Sequence, residues 1–289
     1  MTQHIRPLHL KLQLARITAL SLVLLGLFCS AQAATLLAST HPLYLIAKAV
    51  TEGIETPALL IPAEQDGHHL QLRPQDRQRI QQSDFVLWVG PSYESALTSL
   101  LKDQPNAIAL TDLTAFRRVS LRDVQGRAIA GSTDPHLWLD PQNAVKIATV
   151  IATVRAIQFP AHAHQYRQNA QRFSQRMQLA VKQQQTKPQA YIAYHDAYQY
   201  LEQSLQLQLI GSLTADPELP PTANQLQWLK QHRPAGTVCV ISEAPLQPAV
   251  LQHLNPIAMV HIDEVMATAN DFISAWQQIA RQVTWCTKV

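Results

Sequence analysis

The 289-residue chain is 47% hydrophobic and 15% charged, which is enough apolar material for two modest lobes or one large domain and excludes disorder as the default. Its formal net charge is +3. Three of the 23 basic residues, Arg6, Lys11 and Arg16, lie in the first 33 positions, which hold no Asp or Glu; without them 20 basic residues face 20 acidic ones, and the basic excess gives no support to a nucleic-acid partner.

In chain order, a leader comes first. The basic stretch from Arg6 to Arg16 precedes an apolar run over 17–28, and Ala31-Gln32-Ala33 then offers a small-residue cleavage site. The run is about a dozen residues, short of the roughly 20 that span a bilayer, so a signal peptide over 1–33 is favoured over a membrane anchor. Bulky Phe28 before Cys29 argues against a lipid-modified cysteine. Such a leader implies export to an oxidising compartment. Its removal leaves Cys239 and Cys286, an isolated pair that reads as a disulfide there. Closing that loop is worth ~4 kcal/mol in the chain-entropy account.

Short β-rich runs at 36–39, 58–61, 85–89, 107–110, 190–194, 237–241 and 259–262 alternate with helical patterns, which predicts an α/β fold with mostly parallel sheets. Asp140-Pro141 starts a helix with a capping carboxylate and Pro at the first position. Val145, Ile147, Val150, Ile151, Val154 and Ile157 line it until Pro160 interrupts. Beyond that proline, Tyr166, Ala170, Phe173, Met177, Ala180 and Val181 recur at helical spacing in a Gln- and Arg-rich segment that ends before Lys187-Pro188. The simplest architecture has two α/β lobes, over 34–160 and 187–289, joined by one long connecting helix over 161–186. The alternative is a single doubly wound domain carrying a long surface helix.

Nucleotide-binding glycine motifs, a G-x-S-x-G elbow and an H-E-x-x-H helix are all missing from the sequence. Histidines carry the remaining signal. His68 lies in a loop after the second strand and before the helix opened by Arg73-Pro74. His136 directly precedes the capped helix, and His195 ends the strand 190–194. In open α/β sheets ligands bind outside the carboxyl ends of the strands, so residues from the two lobes can converge on a cleft. Neutral imidazole binds a metal through one nitrogen and leaves the other to an orienting acceptor. Three His with a carboxylate or water suit tetrahedral Zn²⁺, and such a site loses metal as its ligands protonate below about pH 6.5. Each loop histidine on its own is a weak signal.

Four motifs taken in order are far more specific. They are Asp66-Gly67-His68-His69-Leu70-Gln71-Leu72-Arg73-Pro74-Gln75-Asp76, Phe85-Val86-Leu87-Trp88-Val89-Gly90-Pro91, Asp134-Pro135-His136-Leu137-Trp138-Leu139-Asp140-Pro141, and Tyr194-His195-Asp196-Ala197-Tyr198-Gln199-Tyr200-Leu201-Glu202. Together they resemble the zinc-binding, ZnuA-like members of the metal-specific solute-binding proteins of ABC importers. The resemblance covers almost the whole mature chain, and Glu243 and the cysteine pair also fit it.

The resemblance implies two α/β lobes joined by one long rigid helix, with Zn²⁺ held in the cleft as transported ligand. It implies delivery to a membrane permease driven by a cytoplasmic ATPase, and the chain is expected to act as a monomer. The family's three histidines fall on His68, His136 and His195. A histidine at 195, where manganese-type relatives commonly carry a carboxylate, favours zinc over manganese. Two departures stand out. The stretch 117–132 has no His and only Asp123 as an acid, so the His-rich accessory loop of some zinc members is missing. Where some relatives place Glu before the first ligand, this chain has Gly67. Three candidates therefore stand for the fourth ligand: Asp263 after the last strand, water, and Glu243. Spacing to Arg73-Pro74 prefers His68 over His69 as the first ligand.

For the remaining residues, the sequence favours helix entry for His41, packing under the loop for Trp138 and a helix-opening ion pair for Arg73 and Asp76. Rival functions are a zinc hydrolase, for which no base motif accompanies the histidines, a binding protein for manganese, iron or copper, and an adhesin or periplasmic metallochaperone built on the same site.

Overall fold

The computed structural model describes residues 35–65, 67–184, 187–243 and 245–287. The leader over 1–33 lies outside the described residues. Two four-stranded sheets form, and every strand pair in them is parallel. The first contains β1 (Leu36–Ala38), β2 (Ala58–Leu59), β3 (Phe85–Trp88) and β4 (Ala107–Ala109) in the order β2-β1-β3-β4. The second contains β5 (Gln189–Ala193), β6 (Leu207–Ser212), β7 (Val238–Ser242) and β8 (Ile257–His261) in the order β6-β5-β7-β8. The two lobes thus repeat one winding, although the sequence carries no internal repeat. Seven of these strands sit where the hydrophobic runs predict them. The eighth, β6, escapes the pattern because it is a partly exposed edge strand, with exposed Gln208 and small Gly211 breaking the apolar run.

Parallel strands must be covered on both faces, which is why their residues are apolar without alternation. The burial itself still alternates by face. In β1 and β3, Leu36, Ala38, Phe85 and Leu87 point into a central core, whereas Leu37, Val86 and Trp88 point to a separate outer core. β5 and β7 behave alike: Tyr191, Ala193, Cys239 and Ile241 face the centre, and Ile192, Val238 and Val240 face outward. Outer helices α2 (Pro74–Gln82), α3 (Thr98–Leu101), α7 (Ala223–His232) and α8 (Pro248–Leu254) cover those outer faces. Short α6 (Glu202–Leu205) sits on the central side.

The central core is filled by α1 (His41–Val50), α4 (Pro141–Gln158), α5 (Ala163–Lys182) and α9 (Phe272–Cys286). It draws residues from Leu36 to Cys286 into one cluster, and the described residues from 35 to 287 form one compact unit. Asp140 caps α4 by accepting from the backbone N–H of Gln142 (2.7 Å) and Asn143 (3.4 Å). Pro160 ends α4, and a single 3₁₀ turn re-aims the chain into the 20-residue α5. That helix buries Tyr166, Phe173, Met177 and Ala180 of the predicted stripe, with Asn169 beside them and Ala170 and Val181 half-buried, and is followed by the second sheet. Inward-facing Cys239 on β7 meets Cys286 at the end of α9, and the two are disulfide-bonded. No described helix is long and apolar enough to cross a membrane.

Candidate metal centre

The winding order places a switch point between β1 and β3 and another between β5 and β7, where helices leave to opposite faces and the strand ends part. At the second switch point stand His195, two residues past β5, and Glu243, directly after β7. At the first, Ser39 follows β1, and Glu94 is folded back beneath β3. His68 rises from the loop after β2, and His136 from the turn before α4.

These loops bring the three predicted histidines together. Nε2 of His68 lies 3.4 Å from Nε2 of His136. The His136 and His195 rings are 5.5 Å apart between centroids, and the His68 and His136 rings 5.4 Å. His136 and His195 are buried and His68 is half-buried. Two imidazole nitrogens bound to one tetrahedral zinc at ~2.0–2.1 Å would stand about 3.3 Å apart, so the His68–His136 pair already has the spacing of a tetrahedral edge. Among the described residues no group of three His, Cys, Asp or Glu side chains is drawn in to the full spacing of a metal site. The His195 ring stands beside this pair, its centroid 5.5 Å from that of His136.

Carboxylates stand behind two of the rings. Asp134 Oδ1 accepts from the His136 backbone N–H (2.9 Å) and lies 2.8 Å from its Nδ1. That contact sets the Nδ1–H tautomer and leaves the Nε2 lone pair aimed at His68. Burial pushes the Asp134 carboxyl up to about 7, against the backbone hydrogen bond and the positive charge of Arg122. Nδ1 of His195 lies 3.0 Å from Oε1 of Glu243, in poor alignment for a hydrogen bond. Its Nε2 is buried with no hydrogen-bond partner among the described residues. Burial disfavours the charged ring of His195, but contact with Glu243 and the charges of Glu243, Glu264 and Asp196 outweigh it and raise its pKa to about 9. Tyr198 Oη donates to the same Glu243 oxygen. Glu243 therefore backs the His195 ring.

Asp263, the first choice for a fourth ligand, is exposed. The structure instead turns its neighbour inward: Glu264 is 8% exposed and lines a cavity with His195 and Glu243. Burial and the charge of Glu243 raise the Glu264 pKa, and the charge of His195 opposes them. Period-2 alternation carries the sequence signal for Glu264. Val260 and Ile262 are buried while His261 and Asp263 are exposed, and Glu264 continues the buried set. Trp138 Nε1 donates to the Glu264 carbonyl (3.0 Å), tying the His136 turn to this residue. His69 points elsewhere, 3.5 Å from Asp216. His41 is the first residue of α1, and its Nδ1 lies 2.8 Å from the Met266 carbonyl.

Sequence reasoning missed the layer under His68. Tyr93 meets the His68 ring edge-on at 4.5 Å and the His136 ring at 5.8 Å. Glu94 is fully buried and accepts from Ser39 Oγ and from the backbone N–H of Val89 (3.3 Å) and Gly90 (2.9 Å). Burial still raises its pKa to about 7. Gly67 packs against this pair, since a Cβ there would lie 2.6 Å from the Tyr93 ring and 3.0 Å from Glu94 Cγ. A glutamate before His68 does not fit this arrangement without displacing Tyr93. Arg73 and Asp76 do form the expected ion pair, at 3.0 Å, and the Arg73 backbone N–H donates to Asp76 as well.

Two parallel lobes wound alike, a shared helical core and side chains converging between the strand ends define the class of two-lobed solute-binding proteins. Residues 36–284 match the family described as zinc-uptake complex component A, periplasmic (ZnuA), and the chain belongs to that family. It is 27% identical over 259 residues to the high-affinity zinc uptake system protein ZnuA of Brucella abortus, covering 74% of this chain and 78% of that protein. It is 28% identical over 250 residues to the protein of the same description from Yersinia pestis, covering 75% and 78%. The fold is shared with a solved structure titled as the crystal structure of ZnuA, with a TM-score of 0.73 at 18% identity, over 88% of this chain and 99% of that one.

Proposed function

We propose that this chain captures Zn²⁺ in the periplasm and delivers it to the permease of an ABC importer with a cytoplasmic ATPase. One ion binds between the lobes through Nε2 of His68, His136 and His195, with the Glu264 carboxylate at the fourth position. Residues 34–160 and 187–289 serve as the two jaws and 161–186 as the strut between them. The observation that carries this reading is the 3.4 Å approach of two Nε2 atoms, one with a carboxylate on its Nδ1, beside a third Nε2 that is buried with no hydrogen-bond partner among the described residues. Three nitrogens and one oxygen suit zinc better than manganese, which prefers oxygen donors. The family to which the chain belongs supports the same cargo and compartment.

The test is a titration of metal-stripped mature protein with Zn²⁺ in competition with Mn²⁺ and Cu²⁺. Tight one-to-one zinc binding that disappears in His195→Ala is the expected outcome. Glu264→Gln should weaken binding while Asp263→Asn leaves it unchanged. Preference for manganese over zinc would refute the assignment of cargo.

A further inference from the structure

Arg122 is a largely covered cation, with its side chain 12% exposed. It belongs to the strap over 117–135 that leads from the first sheet to His136. This is the stretch whose sequence holds no histidine. The strap folds on itself through a bridge between Arg122 and Ala128 and lies on the second lobe. There the Val124 carbonyl accepts from the Ser212 N–H (3.0 Å) and from Gln225 Nε2 (2.8 Å).

The guanidinium reaches one residue past a proposed ligand. Its Nε and Nη2 donate to the two oxygens of Asp196 at 2.6 and 2.7 Å, and Nη2 also donates to Glu202 at 2.7 Å. Tyr191 Oη completes the cluster by donating to Glu202 at 3.0 Å. Asp196 follows His195 directly. At the far end of the strap the Asp134 N–H donates to the Val119 carbonyl (2.9 Å), and Asp134 holds His136. Tyr200, from the His195 side, donates to the Asp134 carbonyl at 3.0 Å. One charged cluster therefore joins the segment that presents His136 to the segment that presents His195.

We infer that Arg122 is a positioning residue for metal binding: its forked pairing with Asp196, shared with Glu202, sets the spacing of His136 and His195. The inference rests on the zinc reading above. Arg122 acts through Asp196 and the strap. A fork of this kind is directional, since a planar guanidinium grips both carboxylate oxygens and a lysine cannot. Ligands need to be held to about half an ångström, and outer-shell partners that do so typically contribute 10–100-fold in metal affinity.

The experiment uses the mature full chain as wild type and as Arg122→Ala, Arg122→Lys and Asp196→Asn. Zinc affinity is measured by competition, the ligand field by the visible spectrum of the Co²⁺-loaded protein, and the fold by thermal melting. The expected result is at least ten-fold weaker zinc binding and altered Co²⁺ bands in Arg122→Ala and Asp196→Asn, with Arg122→Lys between them and wild type. A lower melting temperature with wild-type affinity and wild-type Co²⁺ bands would mean that the cluster only braces the fold, and would overturn the inference. If Arg122→Ala does not fold, Arg122→Lys and Asp196→Asn decide by the same two readouts. Wild-type protein that fails to bind zinc while these variants remain folded would overturn the zinc reading and this role with it.

Discussion

Two of the three clustered histidines have a carboxylate behind the ring. Asp134 contacts Nδ1 of His136, whose Nε2 meets that of His68, and Glu243 lies beside Nδ1 of His195. Asp134→Asn and Glu243→Gln should each weaken zinc binding about 10–100-fold while leaving the circular dichroism spectrum unchanged. Equal affinity in either variant would remove that carboxylate from the orienting role. Asp76 provides a separate case in which pH and stability are linked. Burial works to raise its pKa, but hydrogen bonds from the Arg73 side chain and backbone, with the charges of Arg73 and Arg79, hold it below the usual carboxylate value. A carboxyl depressed in the folded state stabilises above its unfolded pKa, near ~3.9, and that stability is lost as pH falls through the folded value. The melting-temperature difference between wild type and Asp76→Asn should therefore be larger at pH 6 than at pH 3. A difference independent of pH would show that the ionised form contributes nothing.

At the scale of elements, the start of α4 does two jobs. Asp140 caps the helix and also pairs with Arg117 Nη1 at 3.0 Å, fixing the turn that carries His136. Asp140→Ala should cost about 1 kcal/mol or somewhat more, because a cap is lost and the half-buried Arg117 loses its partner. Denaturant unfolding measures this directly, and an unchanged midpoint would contradict the capping role. This helix was legible because Asp-Pro, an apolar stripe and a terminal proline all state one answer. β6 was not, since an edge strand need not be apolar on both faces. Glu264 was overlooked although the alternation of β8 points to it, because that alternation continues past the end of the strand.

In the molecule as a whole, the two lobes share one core instead of meeting at a wet hinge. Trp276 Nε1 donates to the Leu139 carbonyl (2.9 Å), Trp138 Nε1 to Glu264, and His41 contacts Met266, so buried polar contacts also cross between lobes. Metal binding should then move loops and not lobes. Small-angle scattering of stripped and zinc-loaded protein should give nearly superimposable curves, and a large change in radius of gyration would contradict the shared-core account. The Cys239–Cys286 bond closes a separation of 47 residues. Replacing both cysteines by alanine should destabilise the fold by ~2–4 kcal/mol without changing zinc affinity, since the bond lies between β7 and the end of α9 and its main effect is on the unfolded chain.

By itself, the sequence determined the properties written in local pattern. The apolar strand runs, the capped and proline-broken helices, the cysteine pair and the three histidine motifs each need only neighbours a few residues away. Tertiary structure decided what depends on which distant atoms meet. It brought His68 within 3.4 Å of His136, turned Glu264 inward in place of Asp263, filled the space beside Gly67 with Tyr93 and Glu94, and paired Arg122 with Asp196. The reason is physical: periodicity dictates which face of an element is buried, whereas the distance between two loops is set by the packing of the sheets and helices that carry them.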